Sequence, residues 1–145
     1  MDFKNFSLNI AQTKVNRFVD ELTAGRFMAT VCKKCGKKYY PPLADCSACM
    51  GSDMEWKQIS NTGKLVTFTK IYVPPEHFAV RQPLMPFSNV QFEPCPIGIL
   101  EVEGHLRIMG WMPKIDVKKI RVGMGMKASS HILPDGKVTI ILEAV

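Results

Sequence analysis

The spacing of four cysteines constrains this chain more than any other feature. The stretch VCKKCGKKYYPPLADCSACMG contains two Cys-x-x-Cys pairs with ten residues between them, formed by Cys32, Cys35, Cys46 and Cys49. Each Cys-x-x-Cys turn brings two thiolates towards one ion, and two such turns supply a closed tetrahedral set of sulfurs. A closed set leaves no position for a metal-bound water, so the ion would be structural or redox-active and not hydrolytic.

The same spacing leaves the choice of metal open between zinc and iron, because four thiolates suit both. Two observations argue against a rubredoxin-like iron site. The second pair, CSAC, has no proline after its first cysteine, and an electron carrier would not need the large part of the chain that lies outside the cysteine stretch. A dithiol redox centre needs one Cys-x-x-Cys at the start of a helix, not two facing pairs. We therefore predict one structural Zn²⁺, with iron as the rival. Gly36 directly follows Cys35. We expect a glycine there because backbone amides must approach the sulfur closely, which favours a residue without Cβ.

The bulk composition indicates a globular protein. A chain of 145 residues, 46% hydrophobic and 22% charged, fits one domain with a smaller module and excludes a disordered one. The start MDFKNFSLNI lacks the cationic and apolar regions of a secretory signal, and no run approaches a membrane span. We expect a cytoplasmic protein with reduced cysteines and no membrane segment. The net charge of +6 permits an anionic partner without identifying one.

Residues 12–25 have the pattern of an amphipathic helix. The apolar residues Val15, Phe18, Val19 and Leu22 recur at the spacing of one helical face, and Gly25 is placed to end the helix. Such a face could cover the core of its own domain or dock on a partner.

Beyond the cysteine stretch the chain is typical of β structure. Six β-type runs separated by turn signals can be read from it: GKLVTFTKIYV, FSNVQFE, IGILEVE, HLRIMGWM, GMKASSHIL and KVTIILEA. A short helical turn capped by Asp116 interrupts them. Five or six short strands with one helical insertion favour a small OB-type β-barrel over a sandwich.

The predicted fold is therefore mainly β: an N-terminal helical segment over residues 1–26, a zinc ribbon over 27–60 and an OB-fold barrel over 61–145. The irregular, proline-rich stretch 72–87 is long for a compact domain, and loops of that length are usually functional.

No catalytic constellation is visible. The three histidines are far apart in sequence, and we expect His131 to pack among the alternating apolar residues around it. Cys95, between two prolines, is expected to be inert. The chain is not expected to run a reaction alone, and whether it counts as an enzyme stays open.

Taken together, the motifs resemble a known family. The segments FVDELTAGRF, CKKCGKKYYPPLADCSAC, MEWKQI, TGKLVTFTKIYVPPEHF and EVEGHLRIMGWM occur in the order found in the domain-of-unknown-function-35 family. The resemblance covers nearly the whole chain. It implies a rubredoxin-like zinc ribbon followed by an OB-fold, with the metal on the four cysteines.

The resemblance also implies a role. Members of that family are small non-catalytic partners of thiolase-superfamily enzymes, including thiolase, acyltransferase and HMG-CoA synthase types, and help to hold or shield a CoA thioester. We expect a hetero-oligomer with such a catalytic subunit. The candidate contacts with CoA or the partner are Lys37, Lys38, Tyr39, Tyr40, Phe78 and Arg81.

Two departures from the family pattern put the shape of the barrel in question. They are the missing proline in CSAC and the longer, proline-rich insertion around FSNVQFEPCPIGILEVEG. The alternatives are an accessory subunit of an acyl-CoA hydratase or aldolase, and a single-stranded nucleic-acid-binding OB-fold protein, which the modest aromatic content of 9% disfavours.

Overall fold

The computed structural model describes residues 14–71, 95–133 and 136–145. These ranges contain one α-helix, α1 (Lys14–Thr23), and eight strands. The strands are β1 (Met28–Cys32), β2 (Lys38–Tyr39), β3 (Met54–Gln58), β4 (Thr62–Ile71), β5 (Cys95–Val102), β6 (Leu106–Trp111), β7 (Gly125–Ile132) and β8 (Val138–Ala144).

Helix α1 ends as predicted. Gly25 has a φ of 80°, which a residue without Cβ adopts readily, and its amide donates to the carbonyl of Leu22 at 2.9 Å. The side chain of Leu22 is buried in the main core. The helix thereby turns into β1 within a few residues.

The apolar face of α1 divides into a covered and an exposed part. The helix packs against β1, β7 and β8, and Phe18 meets Tyr40 edge-on with ring centroids 6.0 Å apart. Val15 is 70% exposed and Val19 is 41% exposed. The helix therefore covers its own core through Phe18 and Leu22, as one of the two interpretations expected.

The cysteine stretch folds onto a three-stranded antiparallel sheet in the order β2-β1-β3. Thr30 at its centre pairs with Tyr39 on one side and Trp56 on the other. Its buried hydroxyl accepts from the amide of Leu43 at 2.9 Å and donates to the Leu43 carbonyl at 3.0 Å. Leu43 lies between the two Cys-x-x-Cys pairs, so these two bonds attach the segment that leads to the second pair to the centre of the sheet.

The remaining strands form a closed barrel in the order β4-β5-β6-β8-β7. All pairs are antiparallel except β6 and β8, which run parallel and meet at Trp111 and Ile141. A 3₁₀ turn, Val117–Lys119, joins β6 to β7, and the Asp116 carboxylate accepts from the Lys118 amide at 3.0 Å as a cap. The predicted fold class, a helix and a zinc ribbon followed by an OB-type barrel, is confirmed.

The sheet of β1, β2 and β3, which we call the ribbon sheet, shares one hydrophobic core with the barrel. Phe27 and Ala29, at the start of the ribbon, belong to the same buried cluster as the barrel residues Leu65, Leu100, Val102, Ile108, Met126 and Leu142. Strands β4 and β5 approach so closely that a Cβ on Gly63 would lie 1.9 Å from the backbone oxygen of Glu101. Only glycine allows this contact.

The junction between ribbon and barrel is hydrogen-bonded on both sides. The amide of Ile59 donates to the carbonyl of Phe27 at 2.9 Å. Two residues later, the Asn61 side-chain amide donates to the Ala128 carbonyl at 3.0 Å, and the Asn61 carbonyl accepts from the Ala128 amide at 2.7 Å. The predicted domain boundaries stay predictions, but the sheet and barrel are joined without a free linker.

Other sequence predictions have mixed outcomes. The run FSNVQFE and the stretch 72–87 lie outside the described residues. The packing expected for His131 is wrong: it is exposed, because the alternation of buried and exposed residues along β7 ends before it is reached. Within the described ranges, no helix has the length and apolar character needed to cross a membrane.

Candidate metal centre

Two turns with equivalent backbone hydrogen bonds carry the four cysteines; we call each Cys-x-x-Cys turn a knuckle. In the first, the amide of Gly36 donates to the carbonyl of Cys32 at 2.7 Å. In the second, the amide of Met50 donates to the carbonyl of Cys46 at 2.9 Å. Cys32 and Cys46 therefore occupy equivalent positions, each at the start of its knuckle.

The residue that follows each knuckle has a left-handed backbone. Gly36 has a φ of 75° and Met50 a φ of 58°. The reason expected for Gly36 is wrong: a Cβ there would meet nothing within 4 Å. The position favours glycine because of its positive φ, which residues with a Cβ adopt at a cost. Met50 occupies the equivalent position in spite of that cost.

The sulfurs of Cys32, Cys35, Cys46 and Cys49 all lie within 4.8 Å of one another. The Sγ atoms of Cys32 and Cys49 are 3.5 Å apart, and those of Cys35 and Cys46 are 3.4 Å apart. Four sulfurs at the usual 2.3 Å from a tetrahedral zinc would be roughly 3.8 Å apart. The sulfur cluster therefore fits one ion, with each knuckle supplying two ligands.

Hydrogen-bond donors surround the two buried sulfurs. Backbone amides of Cys35 and Lys34 donate to the Cys32 sulfur and lower the pKa of that thiol. The Tyr39 hydroxyl lowers the pKa of Cys46 to about 6, together with the backbone amides of Cys49 and Ala48 in the second knuckle. Lowered pKa values favour the thiolate at these two positions, and the thiolate is the form that binds metal. The pKa values of Cys35 and Cys49 are raised, in spite of a backbone amide at each sulfur, because their thiols hydrogen-bond to the neighbouring cysteine sulfurs. Cys35 and Cys49 are less deeply placed, Cys35 being exposed.

Several side chains of residues 36–45, the ribbon hairpin between the knuckles, contact other parts of the protein. Lys38 forms an ion pair with Glu103, and the Tyr39 hydroxyl lies 3.2 Å from both the Cys46 sulfur and the Ser47 hydroxyl. Lys37 is exposed and lies over the Tyr39 ring, 5.5 Å from its centroid.

Tyr40 faces the opposite way, into the protein. It packs against the main core, and its hydroxyl is buried with no hydrogen-bond partner among the described residues. Burial raises its pKa to about 12. Phe78 and Arg81 lie outside the described residues. The assignment of these side chains and of the ribbon residues to CoA or partner contact stays a prediction.

Two residues of the site were not predicted from the sequence. Ser47 follows the first cysteine of the second knuckle and lies against Tyr39. Glu103 accepts from Lys38 at 2.8 Å and from the Ser60 amide at 3.2 Å. Nothing in the pattern of the sequence pairs Lys38 with a residue 65 positions away.

The barrel carries a separate apolar groove of about 520 Å³. In OB-folds, ligands bind on the face of the second and third strands, between the loop that joins strands one and two and the loop that joins strands four and five. The corresponding strands here are β5 and β6. The groove is lined by β6, β8 and residues between β7 and β8, with one residue each from β4 and β5. It is lined by Ile71, Ile97, Met109, Gly110, Trp111, Leu133, Lys137, Val138, Thr139 and Ile140.

Comparison with known families assigns both parts of the chain. The family model described as "ChsH2, rubredoxin-like zinc ribbon domain" matches residues 19–55, and that described as "ChsH2, C-terminal OB-fold domain" matches residues 56–131, more than half of the chain. The chain belongs to the ChsH2 family. The first matched segment contains the second half of α1, β1, β2 and the start of β3, and the second contains the rest of β3 and the barrel strands up to β7. The predicted zinc cofactor is confirmed as a zinc-ribbon domain whose four cysteines are positioned for one metal ion.

Curated relatives of this ChsH2-family chain include two proteins of different description. A "DUF35 domain-containing scaffold protein" of Methanocaldococcus jannaschii is 28% identical over 98 residues, which is 67% of this chain and 62% of that protein. The "Benzoylsuccinyl-CoA thiolase subunit BbsA" of Thauera aromatica is 38% identical over 42 residues, 29% of each chain. The chain thus matches less than two thirds of the length of either relative. The predicted resemblance to the DUF35 family is confirmed.

Solved structures of the same fold cover most of the ChsH2-family chain. One, titled "Ltp2-ChsH2(DUF35) aldolase", superposes with a TM-score of 0.71 at 17% identity, covering 95% of this chain and 98% of that one. A DUF35-family protein of unknown function from Sulfolobus solfataricus gives a TM-score of 0.56 at 16% identity, covering 88% and 83%. At these identities the likeness concerns the fold alone.

Proposed function

We propose that this chain is a non-catalytic accessory subunit of a thiolase-superfamily acyltransferase complex in the cytoplasm. In this proposal it docks on the catalytic subunit and helps to bind or shield a CoA thioester. The zinc site holds the ribbon hairpin in shape and takes no part in the reaction, since four thiolates leave no open position for substrate. The chain adds no activity of its own.

The apolar groove along β6 and β8 is the observation that carries the proposal. Met109, which lines it, is 62% exposed, and the groove is open on a face that OB-folds use for ligands. The groove lining is mostly apolar, which suits a protein or ligand with an apolar group. The family relative named as a thiolase subunit supports a thiolase-like catalytic partner.

Reconstitution with a thiolase-superfamily catalytic subunit from the same genome tests the proposal. We expect the two chains to co-elute on size exclusion, and the catalytic subunit to need this chain for full thiolysis of its acyl-CoA. Full activity of the catalytic subunit alone, with no co-elution, would contradict it.

A pair of matched variants tests the docking face. Met109→Glu places a charge in the groove, whereas Met50→Glu places the same charge on an 83% exposed residue of the ribbon, outside the groove. We expect Met109→Glu to raise the dissociation constant of the two chains at least tenfold, so that they no longer co-elute, and Met50→Glu to leave it unchanged. Equal effects of the two variants would place docking elsewhere.

An aldolase complex is the second candidate. The solved ChsH2 structure of similar fold is titled as an aldolase, and the chain belongs to the ChsH2 family. Co-elution with an acyl-CoA aldolase or hydratase subunit, and not with the thiolase, would favour this candidate. Salt-sensitive binding of a fluorescent single-stranded oligonucleotide would instead favour a nucleic-acid function.

A further inference from the structure

The two knuckles have equivalent backbone hydrogen bonds but differ in the donors around their buried sulfurs. Cys32 and Cys46 occupy equivalent positions, and backbone amides donate to both sulfurs. Cys46 has one further neighbour, the Tyr39 hydroxyl, whose oxygen lies 3.2 Å from its sulfur. In the part of the chain that the structure describes, no hydroxyl has the same relation to Cys32.

The direction of this hydrogen bond follows from the chemistry of its groups. A metal-binding cysteine is a thiolate, which can accept but not donate. The single hydroxyl hydrogen of Tyr39 must therefore point at Cys46. The Ser47 hydroxyl, also 3.2 Å from the Tyr39 oxygen, can then donate to it. The order of donation runs from Ser47 through Tyr39 to the sulfur.

Two contacts restrict the movement of Tyr39. Its backbone pairs with Thr30 in the centre of the ribbon sheet. The Lys37 ammonium lies over its ring, 5.5 Å from the centroid, where a cation is attracted to the π face. A hydroxyl held in this way loses little freedom when it donates to the sulfur, so the contact is preorganised.

We propose that Tyr39 is a positioning residue of the metal centre: its hydroxyl orients the Cys46 thiolate and slows release of the bound ion. Partners that hydrogen-bond to metal ligands commonly change metal affinity by about 10-fold to 100-fold when removed. The proposal gives Tyr39 a role within the protein that is separate from any contact with CoA. It does not rest on the proposed function, because its test needs no partner and no substrate.

Tyr39→Phe removes the hydroxyl and keeps the ring. We expect zinc transfer from the purified full chain to an excess of a colorimetric chelator to be about tenfold faster than in the wild type. In the Co²⁺-loaded protein, we expect the sulfur-to-cobalt charge-transfer band to move to lower energy, because a sulfur without its donor gives up electrons more easily. A loss of packing alone would not shift this band.

The neighbouring tyrosine supplies the matched control. Tyr40→Phe removes a buried hydroxyl that has no partner among the described residues, so both the transfer rate and the charge-transfer band should stay as in the wild type. Ser47→Ala, at an exposed position, should change both readouts in the same direction as Tyr39→Phe but less. The proposal is overturned if the band of Tyr39→Phe is unmoved, if its zinc transfer is within twofold of the wild type, or if Tyr40→Phe has the same effects.

Discussion

The ammonium of Lys38 lies 2.8 Å from a carboxylate oxygen of Glu103, and this ion pair joins the ribbon sheet to the turn between β5 and β6 of the barrel. The two side chains are only 26% and 28% exposed. The other Glu103 oxygen accepts from the Ser60 amide at 3.2 Å, close to the junction of the two parts. Glu103 thereby touches the ribbon, the junction and the barrel at once.

We expect Glu103→Gln to lower the free energy of unfolding by about 0.5–1 kcal/mol, because the variant keeps an acceptor for Ser60 but loses the charge that attracts Lys38. Urea unfolding of the zinc-loaded protein measures it. Glu101→Gln is the control, since its cation, Arg107, lies 3.8 Å away and is 61% exposed. A loss as large in the control as in Glu103→Gln would contradict a specific role for the Lys38 pair.

Burial of Tyr40 predicts a loss of stability at high pH. Its pKa is raised to about 12, whereas tyrosine in an unfolded chain ionises near pH 10. Below about pH 10 both states keep the proton and Tyr40 adds no pH dependence. Between about pH 10 and 12 only the unfolded chain releases it, so stability falls by at most about 1.4 kcal/mol per pH unit. We expect urea midpoints between pH 9 and 11 to fall more in the wild type than in Tyr40→Phe; equal falls would show that Tyr40 is not the cause.

The left-handed residues after the knuckles predict two opposite effects. Met50→Gly should raise stability by about 0.5 kcal/mol, because it relieves an unfavourable φ at a side chain that is 83% exposed. Gly36→Ala should lower stability by about 1 kcal/mol for the same reason. Thermal unfolding of both zinc-loaded variants gives the comparison, and two shifts of the same sign would argue against the backbone explanation.

The contact between Phe18 and Tyr40 predicts how firmly α1 is attached. Phe18→Ala should lower the free energy of unfolding by about 1–2 kcal/mol, since it removes an edge-on aromatic contact and its share of the core. Val15→Ala, on the same helix but 70% exposed, should change it by less than about 0.5 kcal/mol. Amide hydrogen exchange along α1 would show whether the helix detaches in Phe18→Ala and stays in Val15→Ala.

The sulfur cluster predicts the metal content. We expect one zinc per chain by elemental analysis, a colourless protein, and a lower unfolding temperature after chelation, because a structural zinc adds its binding energy to folding. A red protein that contains iron would contradict the choice of zinc. Metal removal that left the unfolding temperature unchanged would contradict a structural role.

The features that the sequence predicts correctly are those written in local spacing. The cysteine intervals predict the sulfur cluster, Gly25 predicts the end of α1, and Asp116 predicts the cap of the 3₁₀ turn. Each depends on residues within a few positions of one another, or on a chemical type with few uses. The strand periodicity after residue 61 likewise predicts the barrel.

The features that it does not predict depend on contacts across the fold. Strand β2 has only two residues, too few for an alternation to be seen. The bond from Tyr39 to Cys46 exists because the ribbon sheet turns the hydroxyl towards the second knuckle, and the Lys38 pair needs the barrel to bring Glu103 near. The alternation of buried and exposed residues along β7 stops after Ala128, so His131, near the end of the strand, is exposed.

The junction has a consequence for building chimaeras of this protein. Ile59 is hydrogen-bonded to Phe27 of the ribbon, and Asn61, two positions later, is hydrogen-bonded to Ala128 of the barrel. The ribbon therefore cannot be exchanged as an independent unit at residue 60. A transplanted ribbon would need its own strand to end in register with β4, and an asparagine at the point where the chain reaches β7. Grafts that insert even one residue between these two anchors would shift one set of bonds against the other.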